Sequence, residues 1–526
     1  MKIVTANEMK QLDLQATSVS KIPPLLLMEN AARGFVDRME RLWSPLREKR
    51  VTVVSGRGNN GGDGIAAAWH LKRRGALVAV YLLAPAKEIT GESRIFLDIW
   101  IASGGVLHEI RSSHLGPLVS DLTQAHIVVD ALLGTGLSHP VTGLYADVIR
   151  RINESNRTVV SVDIPSGISA DTGERLGVAI KANNTFTIGL PKRGIFLREG
   201  PEHRGTWEGI DIGIPSSLVE RAVLNVALIE PMSLCRDNWA LPQSTHKGMR
   251  GHLLVIAGST GKRGAALMTS LAALRSGAGM VTLALPKSLD RPEPQKLLDQ
   301  INDCMPLMTL PLSETEEGTL ALSSSAMLFS AAQGKGAIAI GPGLSQHIET
   351  QHLIRKWVTE VSIPMVVDAD GINALAGHLE ILRGRKGPLI LTPHPGEMGR
   401  LIGASSEAVQ KDRIGIASSF AHEWNLILVL KGAHTVVALP NQSVWINRTG
   451  NPGMATAGTG DVLTGIIASL LAQRYDPDQA ALWGVYLHGL AGDMAMKEVG
   501  ENSLIATDLL NNIPKAILQA IPTLPC

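Results

Sequence analysis

The sequence is poor in aromatic residues, 4% of 526, which leaves little for the stacked ring platforms that bind single-stranded nucleic acid. It has only three cysteines, Cys235, Cys304 and Cys526, far apart and without a C-x-x-C pair. That argues against zinc and disulfides and favours a reducing compartment. Charge of one sign is lacking too: 49 basic residues nearly cancel 48 acidic ones, for a formal net charge of +1. Such a balance offers no electrostatic argument for nucleic acid or a membrane surface. Long apolar runs are missing, since segments such as IIASLLA (466–472) fall well short of the roughly 18 residues a spanning helix needs. The opening MKIVTANEMKQLDLQ carries no apolar core of a secretory signal. A soluble, cytoplasmic α/β protein is the expectation, and 45% hydrophobic content is enough for more than one core.

What is present is an alternation. RVTVVSG (50–56), a short β-branched run, leads through glycines into GIAAAWHLKRRG (64–75), which reads as a helix, and then into LVAVYLLA (77–84). The order recurs at HIVVDALLGTG, TVVSVDIPSG and TFTIGLPKRG, and a fresh set begins at HLLVIAGS (252–259). Near-continuous apolar strands alternating with helices predict parallel sheets covered on both faces. The boundary is expected near 215–235, which divides the chain into domains at 1–215 and 235–526 joined by a connecting segment at 216–234. Ligands in such sheets bind beyond the carboxyl ends of the strands, where the glycines and aspartates of both halves cluster, so one site per domain is expected.

In the first half, GRGNNGGDG (56–64) follows a strand and opens a helix, the context of a phosphate loop, although a tight glycine turn needs no ligand. Asn59, Asn60 and Asp63 are costly in a turn unless they bind something or cap the helix. Asp130 and Asp163 each end an apolar run; alone, either reads as a cap, and together they read as a polar or cation-binding pocket. With Asn60, Asp130 and Ser166, hard oxygen ligands for a cation are available. Lys192 is either a carboxylate or phosphate partner or a solvated lysine.

IPPLLLMENA, GRGNNGGDG, VVDALLGTGLSHPVTG, SVDIPSGISADTG and TIGLPKRG, in this order, resemble the NAD(P)H-hydrate epimerase domain, over roughly residues 1–215. The resemblance implies a Rossmann-like three-layer sandwich acting on nicotinamide dinucleotides hydrated at the reduced ring and interconverting the two epimers. It implies substrate contacts from Asn59, Asn60, Gly61, Gly62 and Asp63 and from Gly134, Thr135, Gly136, Leu137, Ser138, His139 and Pro140. It further implies potassium at Asn60, Asp130 and Ser166, with Asp163 as general base. A relative in an mRNA-decapping enhancer uses this domain for binding alone, but this chain keeps Asp163 and the cation ligands.

In the second half, ATAGTGDVLTG (455–465) poses a contradiction: a glycine turn entering a helix attracts anions, yet Asp461 stands at its mouth. Asp461 is either an N-cap or a general base acting on something that arrives beside a phosphate. The motif resembles the anion hole and catalytic aspartate of ribokinase-like α/β/α enzymes. With THKGMRGHLLVIAGS, GAALMTSLAALRSGAGMV, IGPGLS, VVDADGINAL, LTPHPGE and VLKGAHT, it closely resembles NAD(P)H-hydrate dehydratase, over roughly 235–520. The resemblance implies nucleotide binding by Lys431, Gly432, Ala433, His434, Thr435 and Gly460, and a hydrate pocket lined by Ala265, Gly343 and His394. It also implies Asp461 as the base that takes the hydroxyl proton. Lys431 alone could be a solvated lysine, and His394 alone a structural one. ADP is expected as the phosphoryl donor, with magnesium on its phosphates. NADH and NADPH hydrates and ADP are the expected partners, with no nucleic acid and no membrane; a homo-oligomer is compatible with this reading. The rival readings are a vitamin or sugar kinase with a non-catalytic first domain, and a first domain that only binds a partner or RNA.

Overall fold

The computed structural model describes residues 1–111, 114–231, 234, 239, 241–290 and 306–521. The three cysteines lie outside the described residues. The chain forms two compact units, one of Lys2–Leu224 and one of Asn225–Cys526 together with Met1.

The first unit carries β1 (Arg50–Ser55), β2 (Leu77–Leu82), β3 (Val106–Glu109), β4 (Ile127–Ala131), β5 (Thr158–Val162), β6 (Asn184–Ile188) and β7 (Thr206–Ile210). They pair in parallel in the order 3-2-1-4-5-6-7. Strand alternation divides their side chains between two cores. Val51, Val53, Val129 and Val160 join one with helices Pro24–Trp43 and Asn59–Arg73. Val54, Val128 and Val159 join the other with helices Gly116–Gln124 and Gly143–Glu154. This is the expected three-layer sandwich. The strand order reverses between β1 and β4, and a crevice opens beyond their carboxyl ends at such a switch point.

The helix expected at 64–75 starts earlier, at Asn59, with Gly58 as its N-cap. Four of the five glycines of GRGNNGGDG, all but Gly58, are there for close packing. A Cβ on Gly61 would lie 1.9 Å from the Gly56 carbonyl oxygen, one on Gly62 2.1 Å from Ser93 Oγ, and one on Gly64 2.4 Å from Ala131 Cβ.

The second unit carries β8 (Val226–Leu228), β9 (His252–Ile256), β10 (Met280–Pro286), β11 (Leu307–Leu312), β12 (Ala337–Ile340), β13 (Met365–Val367), β14 (Leu389–Leu391), β15 (Ile427–Leu430), β16 (Val436–Ala438) and β17 (Val444–Ile446). They assemble in the order 11-10-9-12-13-14-15-16-17-8, parallel except at the β15–β16 and β16–β17 pairs. β8 falls inside the stretch 216–234 and is the edge of this sheet, so part of the expected connector is structural. Leu253, Val255, Ala339 and Val429 join a core with helices Arg263–Arg275, Thr459–Ala472, Pro477–Val499 and Ala506–Ala520. The alternate residues Leu254, Ile256, Ile338 and Ile340 are buried as well, so both faces are covered. Among the described residues no helix is long and apolar enough to cross a membrane.

Helix Thr459–Ala472 lies close against helix Arg263–Arg275 at Gly465, where a Cβ would stand 2.2 Å from the Thr269 carbonyl oxygen. Alanine is the better helix former by about 1 kcal/mol, but here the clash wins. Gly465→Ala is expected to lower the urea midpoint of the full chain; a raised midpoint would contradict this packing.

Candidate active sites

In the first unit a cavity of about 1020 Å³ opens at the carboxyl ends of the strands. Asn59, Asn60, Asp63, Gly134, Thr135, Gly136, Leu137, Ser138, His139 and Asp163 line it together. Gly61 and Gly62 are buried in packing and, like Pro140, are absent from its lining. Lys192 lines it too and is no solvated lysine: it is 1% exposed.

Asp163 follows β5 in a left-handed conformation (φ 67°), uncommon for a residue other than glycine. Its Oδ1 accepts from Lys192 Nζ at 2.5 Å, Ile188 N at 2.9 Å and Thr187 Oγ1 at 3.1 Å. Lys192 Nζ also donates to the Ile188 carbonyl at 2.6 Å, so both partners are fixed from β6 and the residues after it. Asp13, on helix Ala6–Ser18, lines the same cavity and carries no motif that would have flagged it.

Asp130 and Ser166 lie behind the cavity wall, fully buried. Ser166 donates to Asp130 through Oγ at 2.6 Å and N at 2.9 Å, and Ser161 Oγ donates at 2.8 Å. Burial pushes the Asp130 carboxyl up, while these bonds pull it down. Both polar atoms of the Asn60 side chain are buried without a partner. The unpartnered Asn60 amide oxygen and the oxygens of Asp130 and Ser166 are hard donors of the kind a cation such as potassium takes.

The second site collects at the carboxyl ends of β9 and β12 through β15. Asp461 occupies the third position of helix Thr459–Ala472, whose N-cap is Gly458 and which has no side-chain cap bond. Asp461 is therefore not the cap. The open amide end faces Lys431: a Cβ on Gly460 would lie 3.3 Å from Lys431 Nζ. Lys431 follows β15 and donates to Asp368 Oδ1 at 2.6 Å, with Glu397 3.8 Å away. Asp368 Oδ2 accepts from Thr464 Oγ1 at 2.7 Å, which ties the lysine back to the same helix. Burial pushes Lys431 down, but Asp368, Glu397 and Asp461 together hold it above its ordinary value. Burial and the neighbouring Asp368 push Asp461 up to about 7.

Gly432, Ala433, His434 and Thr435 form the loop after Lys431, and Arg413 braces it. The Arg413 guanidinium donates to the carbonyls of Leu430, Lys431 and Ala433. Gly343 and Ala265 adjoin, since a Cβ on Gly343 would meet that of Ala265 at 3.2 Å. His394 caps helix Pro395–Ile402, its Nδ1 accepting from Gly396 N and Glu397 N, while half of its side chain stays exposed. Asp368 and Arg413 were missed; the signal for Asp368, an aspartate ending the apolar run MVVD, is the one that marks Asp130 and Asp163.

A family model described as the YjeF-related protein N-terminus matches residues 25–194, and one described as NAD(P)H-hydrate dehydratase matches residues 253–515. The chain is 44% identical to the bifunctional NAD(P)H-hydrate repair enzyme Nnr of Moorella thermoacetica, over 98% of this chain and 96% of that protein. The enzyme of the same name from Thermofilum pendens is 38% identical over the same shares. A solved structure of the ADP/ATP-dependent NAD(P)H-hydrate dehydratase from Bacillus subtilis, co-crystallised with ATP and magnesium, is 30% identical. It covers 57% of this chain and 100% of its own, with a TM-score of 0.47.

Asp461 binds its proton more tightly in the folded chain, near 7, than at its ordinary 3.8. The folded state therefore loses stability as pH rises through that window. Asp461→Asn removes the loss: at about pH 8 the variant is expected to be more stable than the parent by about 1–3 kcal/mol, and the gap closes near pH 4. Urea denaturation at both pH values measures this, and equal stability at high pH would contradict the buried charge.

Proposed function

The chain belongs to the bifunctional NAD(P)H-hydrate repair enzymes, and from that premise we propose that its first unit exchanges the R and S epimers of NAD(P)H hydrates while its second unit dehydrates the S epimer at the expense of ADP. Residues 1–215 are assigned to the epimerase domain and 235–526 to the dehydratase domain; of the stretch 216–234 between them, β8 belongs to the second sheet. Matching family models on both halves disfavour a vitamin or sugar kinase.

The observation that carries the dehydratase reading is the uncapped helix end at Thr459 and Gly460 with Lys431 Nζ over it and Asp461 beside it. The amides and the lysine stabilise charge on a phosphoryl group in transit. Asp461, near 7, takes the proton of the hydrate hydroxyl as its oxygen attacks the terminal phosphoryl of ADP and AMP leaves. The esterified oxygen then departs as phosphate, and loss of the neighbouring ring proton restores the reduced nicotinamide. Lys431 to Thr435 hold the nucleotide phosphates, and Ala265, Gly343 and the exposed edge of His394 hold the hydrate. Asp368 and Glu397 are the hard oxygens that would hold magnesium, which would supply positive charge on the nucleotide phosphates.

In the first unit Asn59, Asn60, Asp63 and the loop 134–139 bind the hydrate and Asp163 acts as base, supported by their shared cavity. Asn60, Asp130 and Ser166 would hold potassium, which would supply a fixed charge beside the substrate. The protein works in the cytoplasm as a soluble enzyme.

Asp163→Ala and Asp461→Asn separate the two activities. With separated R and S NADH hydrates, Asp163→Ala is expected to abolish epimer exchange yet still dehydrate the S form. Asp461→Asn should bind ADP, exchange epimers, and lose at least about 10²-fold in turnover to NADH. Near-normal turnover in Asp461→Asn, or continued exchange in Asp163→Ala, would defeat the respective assignment.

A further inference from the structure

Three carboxylates and one buried ammonium meet in the cavity of the first unit. Asp13 comes from helix Ala6–Ser18, Asp63 from helix Asn59–Arg73 and Asp163 from the end of β5, with Lys192 following β6. Lys10, Arg57, Glu88 and His139 also line the cavity, and all four are exposed. Lys192 donates to Asp163 and to the Ile188 carbonyl, so Asp163 is the carboxylate of the three that it bonds directly. Asp13 has no such partner: its Oδ1 is buried and makes no hydrogen bond. A carboxyl oxygen in that state is tolerable when the group carries a proton or meets a ligand. Burial, with a smaller push from Asp163 against the pull of Lys192, brings Asp13 up to about 6. Asp63 is raised well above its ordinary value by burial and by Asp163.

We propose that Asp13 is the second proton-transfer group of this site, the partner of Asp163 across the hydrated ring carbon. The inference rests on the epimerase reading of the cavity. Inverting that carbon by loss and return of water needs one donor and one acceptor. Asp13 gives its proton to the departing hydroxyl as the C–O bond breaks and the ring nitrogen's lone pair forms C=N. Water then adds to the opposite face, and its proton goes to Asp163 as the new C–O bond forms. The reverse turn, with Asp163 as donor and Asp13 as acceptor, restores the starting protonation. Ring opening uses the same pair, one group taking the hydroxyl proton and the other protonating the ring nitrogen as C–N breaks.

The test follows exchange of separated NADH hydrate epimers by the full chain without ADP, so that dehydration is silent. Asp13→Asn is expected to lower kcat for exchange about 10²-fold or more with KM within about threefold. In the parent, exchange falls as pH rises above about 6, because the donor form is lost; Asp13→Asn lacks this limb and Asp63→Asn keeps it. Asp13→Ala is expected to regain exchange on addition of formate, which a residue needed only for folding would not allow. Dehydration of the S epimer with ADP stays unchanged in each variant. An exchange rate in Asp13→Asn within about fivefold of the parent, a limb that survives there, or a loss in Asp13→Ala that formate leaves unrestored overturns the proposal. A parent enzyme that does not exchange epimers overturns the reading of the cavity itself, and this inference with it.

Discussion

A lysine outnumbered by carboxylates, buried in the first unit and half-buried in the second, stands at the carboxyl edge of each sheet. Lys192 answers Asp163 within reach of Asp13 and Asp63; Lys431 answers Asp368 within reach of Glu397 and Asp461. Removing such charges from water costs several kcal/mol per ion unless each is paired and hydrogen-bonded, so the pair geometry is over-determined. Asp163 is gripped by three donors, and Asp368 by a lysine on one oxygen and a threonine on the other. The carboxylates left over cannot all stay ionised. Among them Asp13, Asp63 and Asp461 are pushed up, Asp13 to about 6 and Asp461 to about 7, the range where proton transfer is most effective.

Both sheets exist to hold that arrangement. Parallel strands buried on both faces send their carboxyl ends to one edge, and the reversal of strand order opens a crevice there. The glycines around the crevice let helices approach closely enough to bring amide ends and carboxylates together. Gly61, Gly62 and Gly64 do so in the first unit; Gly458 (φ 92°) and Gly465 do so in the second. Much of what looks like ligand recognition in GRGNNGGDG is thus backbone packing that serves the site at one remove.

The apolar β-branched runs made the strands and their parallel pairing legible, and the motif loops marked the edge where the sites lie. The individual roles were less legible. Asp461 could be read as a cap until the helix was seen to start from Gly458 without a side-chain cap bond. His394 does cap a helix, a role hidden in TPHPGE because an imidazole seldom serves there. Asp368 lies 63 residues from Lys431, and no local spacing announces that pair. Asp13 sits in an ordinary amphipathic helix among polar residues, and only its burial in the cavity distinguishes it. Pairings made across the sheet edge come from topology, which periodicity along the chain does not encode.

Two active sites in one chain answer a chemical problem: a base-and-phosphoryl site that accepts one epimer leaves the other stranded unless a proton-transfer site returns it. The account's central claim is that this chain holds both. The direct measurement is recovery of nicotinamide absorbance from a mixed-epimer NADH hydrate incubated with the parent protein, ADP and magnesium. Recovery of all the hydrate is the predicted result; recovery that halts once the S epimer is consumed would contradict it.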